Sequence, residues 1–343
     1  MAGDASRLLP RVAVLGCGSI GKRHLANLRA LGVRAIAAYD PAPDRRAEVA
    51  SCFGAEAVPT LEEIWRWGPT VVFVTAPTSQ HLELALEAAE RGCHLFIEKP
   101  LADRLAGVDR LAALVREKGL VSLVGCNLRF QPGLQAIKRW LEAGAIGHVT
   151  AARLEFGQYL PEWRPSSDYR ESYSARRALG GGIILDAIHE IDYARWLLGD
   201  PTHVACFAGT LSRLEIDTED TAAILLRTPS TIVEIHLDYV QRVYSRTCQI
   251  IGDEGTIRWD YTSGEARCYD ARTGRCDIVA TPSSWTPNEM YVAELRHFFD
   301  CLAGRAMPAL DVAGGWRVLE IALAAKEAAA AGRVVALGDA HDS

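Results

Sequence analysis

The sequence predicts a chain in two parts, a doubly wound parallel α/β sheet over residues 1–125 and an α+β domain over residues 126–343. Three observations predict it. Short β-branched apolar runs alternate with helical stretches through the first part, at the spacing of βαβ units. After Asn127 that rhythm gives way to closely spaced strand-like runs separated by hairpin-type turn signals. A length of 343 residues, with 49% apolar and 23% charged side chains, suits two globular domains with a core each.

Residues 11–15 (RVAVL) form an unbroken apolar run, the mark of a strand buried on both faces. A glycine turn and a helix around 24–31 follow, then a strand over 33–39 that ends at Asp40-Pro41. Helices are expected around Arg45, Arg46 and Glu48 and over 60–67, before a buried strand at 71–75. The helix 81–91 stops at Gly92, and the strand 94–97 closes on Glu98-Lys99-Pro100. A helix at 105–118 and a strand at 120–125 complete the first part. In the second, a helix near 134–143 and a strand at 149–156 precede a polar, aromatic-rich segment at 158–177. Gly180, Gly181 and Gly182 then open a single helix over 183–198. Strands follow at 203–207, 222–226, 231–239, 246–251 and 255–260, with helices at 289–302 and 313–331.

The formal net charge is −6 and no basic run occurs, so neither nucleic acid nor an anionic membrane is an expected partner. No window approaches 18 uninterrupted apolar residues, which excludes a transmembrane helix from the expectations. The first residues lack the pattern of a signal peptide. The nine cysteines form no C-x-x-C pair and no zinc-type cluster, so reduced thiols in the cytoplasm and no bound metal are expected.

Gly16-Cys17-Gly18-Ser19-Ile20-Gly21 reads G-x-G-x-x-G between a strand and a helix. In that context the first glycine permits a tight turn and the second lets the backbone approach a pyrophosphate. The third lets helix and strand pack closely, and the helix N-terminus faces the phosphates. Asp40 stands 19 residues after Gly21, at the end of the second strand, where a carboxylate can hold the hydroxyls of an adenosine ribose. A carboxylate there repels a 2′-phosphate, so NAD is expected over NADP, although Arg45 and Arg46 leave NADP open. Gly16, Gly21 and Lys22 also match the front of a phosphate-binding P-loop, but Arg23 stands where that loop needs a hydroxyl for magnesium.

Glu98-Lys99-Pro100 ends a strand of the same sheet, and ligands sit at strand carboxyl ends in such sheets. A lysine held there suits proton transfer, because burial lowers the pKa of an ammonium. Taken with His24, Thr75-Ala76-Pro77-Thr78-Ser79-Gln80-His81, Asn127-Leu128-Arg129-Phe130, Gly144-Ala145-Ile146-Gly147 and Gly180–Gly182 before Asp186, His189 and Asp192, these motifs resemble the Gfo/Idh/MocA oxidoreductases along nearly the whole chain. The resemblance implies a Rossmann domain followed by an α+β domain with an open, mostly antiparallel sheet. It implies an NAD(P)-dependent dehydrogenase of sugars or cyclitols, active in carbohydrate metabolism as a homodimer or homotetramer. It also implies that Lys99 contacts substrate and nicotinamide, that the Lys99-Pro100 bond is cis, and that Thr75, Ala76, Pro77, His81 and Glu98 line the cofactor.

In the second domain, Asp186 and His189 stand three apart on the expected helix and so on one face. A histidine oriented by a carboxylate suits proton transfer, which makes Lys99 and His189, with Asp186, the catalytic candidates. The family's usual spacing is four, and aligning on His189 puts Leu185 in the acidic position, which leaves the role of Asp186 open. Arg129, Trp163, Arg164, Tyr169 and Arg170 mix guanidinium groups with aromatic rings, the chemistry that pairs with anions and stacks on sugar rings. These residues predict a substrate that carries an anion, such as a sugar acid or nucleotide sugar, within the range of sugars and cyclitols that the resemblance implies. Two rivals stay open: a non-catalytic NAD(H)-binding regulator, and a methyltransferase, which Gly21 and Glu98-Lys99-Pro100 argue against.

Overall fold

The computed structural model describes residues 10–165 and 167–338. Along the first sheet the chain runs β1 (Val12–Leu15), α1 (Ser19–Ala30), β2 (Ile36–Tyr39), α2 (Pro43–Phe53), β3 (Glu56–Ala57), α3 (Leu61–Trp67), β4 (Val71–Val74), α4 (His81–Glu90), β5 (His94–Glu98), α5 (Val108–Glu117) and β6 (Ser122–Gly125). All six strands are parallel, in the order β3-β2-β1-β4-β5-β6. β1, β4 and β6 are buried at every residue, as their unbroken apolar runs require when helices cover both faces. The chain leaves β1 toward β2 and returns to β4 on its other side. The carboxyl end of β1, where the glycine turn sits, is therefore the switch point of the sheet.

The second sheet follows α6 (Pro132–Glu142). It is built from β7 (Val149–Gly157), β8 (His203–Gly209), β9 (Thr221–Arg227), β10 (Ile232–Asp238), β11 (Ser245–Gly252), β12 (Gly255–Asp260), β13 (Glu265–Asp270), β14 (Arg275–Ala280) and β15 (Val335–Ala336). Between β7 and β8 lie α7 (Ile183–Asp186) and α8 (Ile188–Leu198), and after β14 come α9 (Asn288–Leu302) and α10 (Val312–Ala331). The order is β14-β13-β12-β11-β7-β10-β9-β8-β15, antiparallel except for the parallel pair β7 and β10. Side chains alternate: in β9, Ala222, Ile224 and Leu226 are buried while Ala223, Leu225 and Arg227 face out. This is the parallel α/β sheet plus α+β sheet that the sequence predicts.

Three details differ from the sequence reading. β13 and β14 extend the sheet beyond residue 260. Their inward residues include Ala266 and Cys268, too small for a strong apolar signal, and β14 is an exposed edge. The expected helix 183–198 is broken at Ala187 (φ −93°, ψ 31°), so α7 and α8 are separate. The third concerns unit membership. One compact unit comprises the described residues up to Leu101, Ala106–Gly125 and Tyr291–Val312; the other comprises Ala102–Leu105, Cys126–Met290 and the described residues from Ala313 on. Residues 291–312, read from sequence into the second domain, thus return to the first. Leu295 and Phe298 of α9 enter the core of the parallel sheet beside Val12, Phe73 and Phe96. Phe73 and Phe96 stack at 4.6 Å, and Phe298 meets both edge-on. Leu310 extends the attachment by accepting the Val124 N–H at 2.8 Å.

Candidate active site

Each glycine of the turn after β1 has a separate physical requirement. Gly16 adopts φ +105°, and a Cβ there would lie 2.5 Å from the Ala76 nitrogen. A Cβ on Gly21 would lie 2.0 Å from the Gly16 carbonyl oxygen. A Cβ on Gly18 would meet nothing within 4 Å, because this residue faces open space at the N-terminus of α1. No side chain caps that end and its first turn, which contains Ser19 and Ile20, holds no acidic residue. An uncapped helix start with backbone N–H groups turned to open space has the polarity that suits an anion.

Asp40 is buried beside it. Its Oδ2 accepts the Cys17 N–H at 2.8 Å and its Oδ1 accepts the Ala42 N–H at 2.9 Å, so the carboxylate is fixed against the glycine turn. Arg46 donates to the carbonyls of Asp40 and Pro41, while the Arg45 guanidinium stands 3.5 Å from Oδ2 and is largely exposed. Burial, and then the charge of Asp40, pushes the Cys17 thiol up to about 12, so this cysteine is a packed neutral group and no nucleophile.

The loops after β4 and β5 are tied into the same end of the sheet. The Thr75 hydroxyl donates to Gly16 O at 2.6 Å and lies 3.1 Å from Leu15 O, so Thr75 pins the glycine turn. His81 is buried, with Nε2 2.8 Å from Ala76 O and Nδ1 2.8 Å from Pro100 O, and it bridges the two loops. Burial holds its pKa below the usual histidine value despite those carbonyls. The Lys99-Pro100 peptide bond is cis. Glu98 is turned inward: Oε1 lies 2.6 Å from His24 Nε2, and Oε2 accepts the Lys99 N–H at 3.2 Å. Thr75, His81 and Glu98, expected to line the cofactor, hold the loops that carry Ala76, Pro77 and Lys99.

In the second unit, Asp186 accepts hydroxyls from Tyr173 at 2.5 Å, Ser174 at 2.6 Å and Tyr239 at 3.1 Å. It anchors the 158–177 segment to the end of β10. The break at Ala187 also removes the premise that Asp186 and His189 share one continuous helix face. α8 itself is fixed from within. Asp192 receives a buried, bidentate Arg129 (2.7 and 2.9 Å), Glu190 receives Arg246 at 2.8 Å, and Tyr193 packs edge-on against Trp259. His189 alone among the residues 188–194 is not buried.

The other sequence candidates divide. Arg129 is committed to Asp192, and Arg170 to Asp168 and Glu215, whose hydrogen bonds raise its pKa further. The exposed Arg164 lies 5.7 Å from the Tyr173 ring. Trp163 donates to Gln158 O and packs against Tyr239. Trp163, Arg164 and Tyr169 border a cavity of about 10 Å³, room for about one water. Sequence reasoning missed Tyr239 and Tyr291. Tyr239 closes the hydroxyl set on Asp186 from 53 residues away, and Tyr291 stacks under Arg23 and beside His24 from the far end of the chain. Neither carries a local motif. Among the described residues, no group of three or more His, Cys, Asp or Glu could hold a metal, and no helix is long and apolar enough to cross a membrane.

Comparison with known proteins bears on this geometry. Residues 10–126 match the family model of the oxidoreductase family with an NAD-binding Rossmann fold, and residues 134–258 match its GFO/IDH/MocA C-terminal domain. The chain is 30% identical to inositol 2-dehydrogenase 3 of Saccharopolyspora erythraea, covering 95% of this chain and 94% of that one. It is 29% identical to the NAD(+)-dependent scyllo-inositol 2-dehydrogenase of Bacillus subtilis strain 168, covering 92% of each. Among solved structures, levoglucosan dehydrogenase in complex with NADH and levoglucosan superposes with a TM-score of 0.86 at 25% identity, covering 96% of this chain and 99% of that one.

Proposed function

The chain belongs to the GFO/IDH/MocA family of NAD-dependent oxidoreductases that act on CH–OH groups, and from that premise we propose that its substrate is a polyhydroxylated ring, a sugar or cyclitol, with Lys99 and His189 moving the hydroxyl proton. The observation that carries the cofactor half is Gly18 in open space at an uncapped helix start, with the Asp40 carboxylate fixed beside it. Gly16–Gly21 hold the diphosphate and Asp40 the adenosine ribose. NAD, when bound, supplies the hydride acceptor, and NADH the donor. Lys99 at the end of β5 takes the hydroxyl proton in oxidation and returns it in reduction. His189, half-buried while its neighbours are fully buried, shares that transfer. Asp186 holds the 158–177 segment through its three hydroxyl donors and carries no proton in this reading.

The inositol and levoglucosan dehydrogenases named above support a ring polyol. An anion-bearing substrate now depends on Arg164, since Arg129 and Arg170 are spent on carboxylates within their own unit. The test is calorimetric titration with NADH, followed by a screen of NAD-linked oxidation across cyclitols, sugars, sugar acids and nucleotide sugars. Turnover of neutral rings with a KM that Arg164→Ala leaves unchanged is the expected result. A sugar acid as best substrate, with KM raised by Arg164→Ala, sinks the neutral-ring choice. NADH binding without turnover of any of these would make the chain a non-catalytic NAD(H) binder. On the uncovered face of the second sheet Phe207, Leu225 and Ile232 are exposed, and a homodimer or homotetramer through this face is part of the same proposal.

Asp40 gives a separate check on cofactor choice. Charge-assisted hydrogen bonds are each worth about 1.5–3 kcal/mol, so Asp40→Ala is expected to weaken NADH at least about tenfold. NADPH, relieved of a carboxylate facing its 2′-phosphate, is expected to bind no worse and to gain from Arg45. Fluorescence titration with both cofactors reads the ratio. A preference for NADH equal to that of the unaltered protein would remove the ribose from Asp40.

A further inference from the structure

We propose that His24 and Glu98 form a buried brace that aims Lys99, with His24 a positioning residue acting through the Glu98 carboxylate. The inference rests on the reading of Lys99 as the proton carrier. His24 is fully buried among apolar rings, 4.9 Å from Phe96, 5.5 Å from Phe73 and 6.1 Å from Tyr291 between centroids. Its Nε2 lies 2.6 Å from Glu98 Oε1, and the second carboxylate oxygen accepts the Lys99 N–H. Glu98 is paired in register with Gly125 of β6, and a Cβ there would lie 3.2 Å from the carboxyl carbon, so the neighbouring strand leaves this acid its place.

Such an arrangement is expensive as mere packing. Taking a carboxylate out of water costs several kcal/mol, and apolar residues of similar volume would fill the space as well or better. The hydrogen-bond inventory also assigns the proton. His24 Nδ1 is buried with no partner, so a charged ring would leave an unmet N–H among phenylalanines. Nε2 is therefore the donor of this ring, and Glu98 accepts at both oxygens, from the ring and from the Lys99 N–H. One negative charge is thus fixed a single residue from Lys99. On the other side of the turn His81 meets the Pro100 carbonyl, so both residues flanking Lys99 are tethered. The ionisable groups around this turn are His24 and Arg23 of α1, His81 of α4, Lys99 itself, and Tyr291 and Glu294 of α9.

A fixed anion favours the ammonium of Lys99, which distinguishes a brace from inert packing. Glu98→Gln keeps the shape and removes the charge. In the full-length enzyme assayed with NAD and the best polyol of the screen, it is expected to move the acid limb of kcat/KM for oxidation down by about one pH unit. His24→Leu removes the donor and is expected to lower kcat by about 10²-fold, the cost of misaiming a catalytic group, with NADH affinity retained. His24→Gln, which can again donate to Glu98, is expected to recover most of that loss. A Glu98→Gln profile at the wild-type position overturns the proposal, as does a His24→Leu enzyme of wild-type kcat. So does loss of NADH affinity in step with kcat, which marks a purely structural pair. Lys99→Ala is assayed alongside. If it turns over normally, the function reading falls and the brace with it; if it is inactive while the other variants behave as wild type, only the brace falls.

Discussion

Replacing Lys99 by alanine lowers kcat by about 10²–10⁴-fold, the usual contribution of a positioned acid–base group, while NADH binds as before. The two halves of that expectation rest on different parts of the structure. In the proposed function cofactor affinity comes from the α1 start and Asp40, and Lys99 takes no part in the hydrogen bonds that fix Asp40. Alanine also leaves the backbone contacts of the turn intact, since Glu98 holds the residue through its N–H and His81 holds Pro100 through its carbonyl. The substitution therefore removes the amine and its methylene stem while these backbone contacts stay in place. Lys99→Arg keeps a positive charge that does not deprotonate near neutral pH, so it is expected to stay nearly as slow as alanine. Small primary amines added to the alanine variant should restore part of the rate in proportion to their basicity. A Lys99→Ala enzyme within a factor of about two of wild type, or one that no longer binds NADH, would assign the lysine to binding and leave proton transfer to another group.

The glycine turn and the carboxylate beside it were legible because they are local. Strand, three glycines and helix run without interruption from Val12 to Ala30, and Asp40 follows at the end of the next strand, so spacing alone brings them together. What depends on distant partners was not legible. Arg129 reads as a ligand-binding guanidinium until Asp192, 63 residues on, is seen beside it. The hydroxyl partners of Asp186, Tyr173, Ser174 and Tyr239, lie between 12 and 53 residues away and leave no local pattern. The break at Ala187 is marked by no glycine or proline, the usual signals of a helix end. The apolar face of α9 predicts a helix correctly but not which core it enters. Arg170 is the instructive exception, since its partner Asp168 lies two residues away and a local ion pair was there to be read.

The second large effect belongs to the glycine turn, where two substitutions separate folding from binding. Gly21→Ala places a methyl carbon 2.0 Å from Gly16 O and 3.0 Å from Thr75 Oγ1. Neither neighbour can yield cheaply. The Gly16 carbonyl is held by the Thr75 hydroxyl, and Gly16 already sits at φ +105° where the Ala76 backbone leaves no room even for a Cβ. α1 must move away from β1, which costs about 1–3 kcal/mol of packing and pulls the helix start out of line with Asp40. Melting temperature falls by several degrees and NADH affinity falls by about 10²-fold, equivalent to about 2.7 kcal/mol. Gly18→Ala behaves differently, because its methyl meets nothing within 4 Å. The protein keeps its melting temperature, yet the methyl occupies the space where the diphosphate must approach the backbone, so affinity for NADH falls while that for isolated adenosine is spared. Calorimetry and thermal melts on the two variants give four numbers. If Gly18→Ala binds NADH as tightly as the unaltered chain, the open space above α1 is not where the phosphates lie, whatever Gly21→Ala does to the fold.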